Sequence, residues 1–137
     1  MVLIDTSVLI DFLKGASNEA VTSLDEILAR QIPYGINHFI YQEILQGARN
    51  QSEFNKLKSY LETIPFYNLP NRKESYEKAA YLNILCRQSG VTVRSTIDLL
   101  IVQTAIDNDL YLLHKDNDFV NIAKVVPKLK IYRHGPN

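Results

Sequence analysis

The chain has 137 residues, of which 46% are hydrophobic and 22% charged. That is the size and make-up of a single folded domain, here residues 1–137, expected to bury about 65–70% of its unfolded surface. Its 15 basic and 15 acidic residues cancel, which excludes a coating protein held on nucleic acid by a global positive field. Local basic groups or bound cations must draw any polyanionic substrate. No apolar run approaches the roughly 20 residues of a membrane span, no basic secretory start is present, and the lone Cys86 excludes an internal disulfide or a thiolate cluster. The expected setting is the cytoplasm, without membrane association.

Val2-Leu3-Ile4 predicts a buried strand, ending in Asp5, with Thr6 or Ser7 capping a helix over 8–14 that stops at Gly15. A second helix is predicted over 18–30, because Val21, Leu24, Ile27 and Leu28 share one face. Residues 33–36 predict a weak strand, and Asn37 caps a third helix that carries Ile40, Ile44 and Leu45 and closes near Gly47. Phe54, Leu57 and Leu61 mark a fourth, followed by an extended piece at Pro65-Phe66-Tyr67. A long helix should run from Asn71 or Arg72 to Ser89, with Gly90 past its end. After a short segment at 91–93, Ser95 or Thr96 caps a helix over 97–108 that is apolar around most of its surface and should be central. A strand over 111–114, a turn at 116–119 opening a short helix, and a last strand over 130–132 complete the chain. Short strands alternating with helices predict an α/β fold with a mostly parallel sheet covered on both faces. Such sheets collect ligands beyond the carboxyl ends of their strands.

Four acids fit that placement. Asp5 and Asp116 follow two strands, Asp98 sits in the first turn of the apolar helix, and Glu43 is flanked by Ile44 and Leu45. Each alone has an ordinary account as a cap, a turn residue, a dipole partner or a solvated helix residue. Together they would carry a charge near minus four, which demands a counter-cation. Oxygen ligands without histidine or thiolate select Mg²⁺, with Mn²⁺ as substitute. Such ions activate water and clamp phosphodiesters, so phosphate hydrolysis is the expected chemistry. His38, His114 and His134 are scattered and read as structural or surface groups.

The segments Leu3-Ile4-Asp5-Thr6-Ser7-Val8-Leu9-Ile10, Glu43-Ile44-Leu45-Gln46-Gly47, Arg94-Ser95-Thr96-Ile97-Asp98-Leu99-Leu100-Ile101 and Leu112-Leu113-His114-Lys115-Asp116-Asn117-Asp118-Phe119 resemble, in order and separation, the PIN-domain toxins of the VapC type. The resemblance implies a three-layer α/β/α sandwich with a central, mostly parallel sheet of short strands. It also implies a Mg²⁺-dependent endoribonuclease that cleaves tRNA or ribosomal RNA as the toxin of a type II toxin–antitoxin system. The implied partners are a second copy of the chain and a VapB-type antitoxin. Catalytic roles carry onto Asp5, Glu43, Asp98 and Asp116, with Asp5, Asp98 and Asp116 as metal ligands. Thr6 and Ser7 are implied as hydrogen-bonding supports, and Asp118 as an alternative to Asp116. Arg94 and Lys115 flank the acids and suit backbone phosphates.

Other readings fit less well. A haloacid-dehalogenase-type phosphatase needs a second Asp two positions after Asp5, where Ser7 stands, and a response regulator needs an adjacent acidic pair after the first strand. A non-catalytic module of the same fold has no use for all four acids. A flap-type DNA nuclease would carry a helical arch or basic insertion that this chain has no length for.

Overall fold

The fold was taken from a computed structural model, which describes residues 1–133; His134 lies outside them. In chain order the elements are β1 (Val2–Ile4), α1 (Thr6–Leu13), α2 (Glu19–Ala29), β2 (Tyr34–Gly35), α3 (His38–Leu45), α4 (Gln51–Leu61), α5 (Lys73–Gln88), α6 (Thr96–Asp107), β3 (Tyr111–Leu113), α7 (Asn117–Val125) and β4 (Lys130–Ile131). The four strands form one parallel sheet in the order β2-β1-β3-β4. Val2, Leu3 and Ile4 are all buried, as expected of a strand covered on both faces. Because parallel crossovers are right-handed, the leftward step from β1 to β2 puts α1 and α2 on one face. The rightward steps to β3 and β4 put α5, α6 and α7 on the other. The packing of α1 on α2, and of α5 on both α6 and α7, agrees with that three-layer arrangement.

The predicted central helix is α6, in which every residue from Leu99 to Ala105 is buried. Its cap is Ser95, whose hydroxyl accepts the Ile97 N–H at 3.2 Å, so Thr96 is already helical. Asn18 and Asn37 cap α2 and α3 in the same way. Gly15 and Gly90 end α1 and α5 at φ of 73° and 76°, a conformation that side chains disfavour. The piece at 65–67 extends the sheet by a single bridge between Ile36 and Phe66. It passes so close to β2 that a Cβ on Gly35 would lie 2.5 Å from the Pro65 carbonyl oxygen, which only glycine tolerates. The segment 91–93 joins no strand.

One prediction at the start of α1 is corrected. Thr6 and Ser7 are not caps; the N-cap position is Asp5, whose side chain makes no capping bond, and the helix begins two residues earlier than expected. The hydroxyls are engaged elsewhere, as the site shows. Among the described residues no helix is long and apolar enough to cross a membrane.

Candidate active site

The chain leaves β1 towards α1 and leaves β3 towards α7, on opposite faces of the sheet. The carboxyl ends of these two neighbouring strands therefore bound a crevice of the kind in which α/β sheets bind ligands. Asp5 extends the β1–β3 ladder by one rung, its N–H donating to the Leu113 carbonyl at 3.0 Å. Its side chain is pinned at the crevice and only 6% exposed. Asp116 stands opposite as the N-cap of α7, accepting the Asp118 N–H at 2.9 Å. From the α6 layer comes Asp98, half-buried in the first helical turn, and from α3 comes Glu43, also half-buried.

The charges of these acids act on one another. Burial pushes the Asp5 carboxyl above the usual aspartate range, and Glu43 adds to the rise, against the Ser7 hydroxyl and the Thr6 and Ser7 amides that favour the charged form. Asp98 is raised to about 6, first by burial and then by the charges of Asp5, Asp116, Asp118 and Glu43. Four acids from three other parts of the chain thus act on one carboxyl. Asp116 acts on it more strongly than Asp118 does.

Two hydroxyls position the acids. Thr6 Oγ1 donates to Glu43 Oε1 at 2.6 Å, tying α1 to α3 across 37 residues of sequence. Ser7 Oγ donates to Asp5 Oδ2 at 2.9 Å. Among the described residues none of the five acids is ion-paired, whereas Asp11 pairs with Lys115 and Asp109 with Lys130, and Asp107 accepts from Ser75 and Gln103. These three acids outside the site meet a cation or a pair of donors, whereas the acids of the site meet only hydroxyl and backbone N–H donors among the described residues.

Nor are three His, Cys, Asp or Glu side chains, among the described residues, gathered into a ready-made ligand cage. A hard divalent ion does not require one: Mg²⁺ keeps several waters and binds through one or two carboxylates. A buried carboxylate, a second one raised to about 6 and, among the described residues, no ion pair to either fit such an ion. They fit a soft metal less well, since these side chains offer only oxygen ligands.

The flanking cations differ. Arg94 is exposed just before the α6 cap and makes no ion pair among the described residues. Lys115 Nζ donates to Asp11 Oδ2, which also accepts from Asn18, so this lysine braces α1 against the end of β3. His38 packs against Phe66 at 4.9 Å, as a structural histidine would. His114 does more than its scattered position suggested: its Nδ1 accepts the Asp116 N–H at 3.1 Å, and burial keeps its pKa below the ordinary histidine value. A neutral imidazole is what accepting that bond requires. It therefore helps to place Asp116, and its position two residues before that acid was the available signal.

Comparison with known proteins bears on the family and the fold. The PIN domain family model matches residues 2–125. The chain is 29% identical, over 126 residues, to a VapC ribonuclease of Mycobacterium bovis and to ribonuclease VapC11 of Mycobacterium tuberculosis, covering 91% of this chain and 93% of each relative. Among solved structures it superposes on VapBC2 of Rickettsia felis, bound to a promoter DNA fragment, with a TM-score of 0.73 at 18% identity, covering 96% of this chain and 98% of that one. FitAcB of Neisseria gonorrhoeae gives 0.70 at 19% identity, covering 97% of each. Fold, crevice and family model lead to one conclusion: the chain belongs to the PIN-domain family.

Proposed function

We propose that the chain is a divalent-metal-dependent endoribonuclease, the toxin half of a type II toxin–antitoxin pair, acting on tRNA or ribosomal RNA in the cytoplasm. The observation that carries this reading is the set of unpaired acids around Asp98, whose own carboxyl is raised to about 6. The ribonuclease names of the relatives that match nearly the whole chain support it.

Asp5, Asp98 and Asp116 would hold Mg²⁺, or Mn²⁺ in its place. When bound, such an ion lowers the pKa of water and neutralises charge on a phosphodiester undergoing hydrolysis. The chain's own groups supply the rest. Ser7 fixes the Asp5 carboxylate and Thr6 fixes Glu43. With its remaining oxygen, Glu43 can take a proton from an attacking water. Arg94, exposed just before the α6 cap, would hold a backbone phosphate, and Lys115, shared with Asp11, would hold another. The products of an in-line attack by water would be a 5′-phosphate and a 3′-hydroxyl. A VapB-type antitoxin and a second copy of the chain complete the proposed assembly.

The deciding experiment is RNA cleavage by the Asp5→Asn/Asp98→Asn double variant. Activity should fall by at least about 100-fold while the far-UV circular dichroism stays native, and chelation of the wild type should abolish cleavage until Mn²⁺ is added. Wild-type rates from the folded double variant, or cleavage in excess chelator, would overturn the assignment.

A further inference from the structure

A cavity of about 640 Å³ opens at the carboxyl edge of the sheet, where the ends of β3 and β4 meet α2 and α7. It adjoins the acidic crevice: His114 and Lys115 line it, and Asp116 is the next residue along the chain. The rim carries Lys124 from α7 and Arg133 from beyond β4, opposed by one acid, Glu19. Lys124 and Arg133 are exposed, and neither makes an ion pair among the described residues. Arg133 is near enough to His114 for its charge to act on the imidazole. The lining includes the buried Leu113 and the half-buried ring of Tyr132, whose hydroxyl is fixed on Glu26 at 3.0 Å.

Two cations without an ion pair among the described residues, over a lining that mixes Leu113, Val120, Ala123 and Ile131 with polar side chains, in a space within the roughly 300–1,000 Å³ range of small-ligand sites, match a nucleotide better than a chain of acidic side chains. An unstacked base needs an apolar surface or a held ring, and its phosphate needs arginine or lysine. Resting on the ribonuclease reading above, we propose that this cavity is a nucleotide subsite. It takes one unstacked base of the RNA strand next to the cut, with Lys124 and Arg133 on the phosphate. On this reading the acidic crevice cuts, and this neighbouring cavity holds the adjoining nucleotide and sets the register of the strand.

The test measures the binding of a fluorescein-labelled single-stranded RNA, by anisotropy in excess chelator, to wild type, K124A/R133A and K124R/R133K. Loss of two phosphate contacts should weaken binding about 10- to 30-fold at 0.1 M salt and lower the slope of log K against log salt by about 1.4. K124R/R133K should restore both. The rise in melting temperature on adding Mn²⁺ should be the same in all three proteins, because the acids are untouched. A K124A/R133A protein that binds RNA with wild-type affinity and slope overturns the subsite. So does one that keeps RNA binding and loses only its protein partner, since the cavity would then be a protein contact. The two readings fail separately. If the acids are not a nuclease centre, Asp5→Asn/Asp98→Asn leaves cleavage intact while K124A/R133A still weakens RNA binding. If the cavity is not a subsite, the acid variants lose cleavage and K124A/R133A binds as wild type.

Discussion

The hydroxyl of Thr6 is the smallest group on which the site depends. It holds Glu43 at 2.6 Å from a different helix, and without it the glutamate is free to swing into solvent. Thr6→Val keeps the branched shape and removes the donor. Cleavage should fall by about 10- to 100-fold, as for other partners that orient a ligand or base, with little change in melting temperature, and Thr6→Ser should recover most of the rate. Asp98 gives a second test at this scale. Its folded pKa, about 6, lies above the value of about 3.9 for an unfolded aspartate. The folded state therefore binds this proton more tightly, and ionised Asp98 costs stability at neutral pH; that cost disappears as pH falls from above 6 to below 4. In metal-free protein Asp98→Asn should accordingly raise the melting temperature at pH 7.5 and leave it nearly unchanged at pH 4. Mn²⁺ should stabilise the wild type more at pH 7.5 than at pH 5. An Asn variant that melts lower at both pH values would show that the carboxylate is not under this strain.

At the scale of elements, Glu43 and Asp98 stand on α3 and α6, which pack together, and the cap of α3 is hydrogen-bonded to α6. Asn37, 2% exposed, accepts the Ile40 N–H through Oδ1 and donates through Nδ2 to Thr104 Oγ1 at 3.1 Å. Thr104 in turn donates to the Leu100 carbonyl at 2.7 Å. Asn37→Ala removes a cap and leaves buried polar groups short of a partner, and should cost about 2–3 kcal/mol in urea unfolding. The sequence showed the cap, because Asn stands before an apolar helical pattern. It could not show the Nδ2 bond, which spans 67 residues and obeys no local rule. The same division holds at α1. Local rules gave Thr6 and Ser7 to helix capping, whereas tertiary partners, Glu43 and Asp5, claimed both hydroxyls; only the likeness to a known family had pointed there. Lys115 was legible as a cation beside an acid, but its attachment to Asp11 was not.

Across the whole molecule the order of the strands does what no segment does alone. Asp5 and Asp116, the outermost of the four acids, lie 111 residues apart, and the sheet brings them together by winding from β1 out to β2 and then back past β1 to its parallel neighbour β3. The alternation of short strands with helices predicted that edge, while the crossing of the chain that makes it a crevice is a property of the assembled sheet. The molecule's formal net charge of zero then has a consequence. With no global field to attract a polyanion, the unpaired acids repel RNA phosphates unless a cation covers them. Affinity for RNA should therefore change sign in its dependence on the acids. In excess chelator, Asp5→Asn/Asp98→Asn should bind a short single-stranded RNA more tightly than the wild type. With Mn²⁺ and a non-cleavable RNA analogue the wild type should bind more tightly than the variant, because only its site then carries the bridging ion. Titrations by anisotropy at one salt concentration measure both arms. A wild type that binds more tightly in chelator as well would mean that the acids are not exposed to the RNA backbone, and the crevice would lose its role as the cutting site.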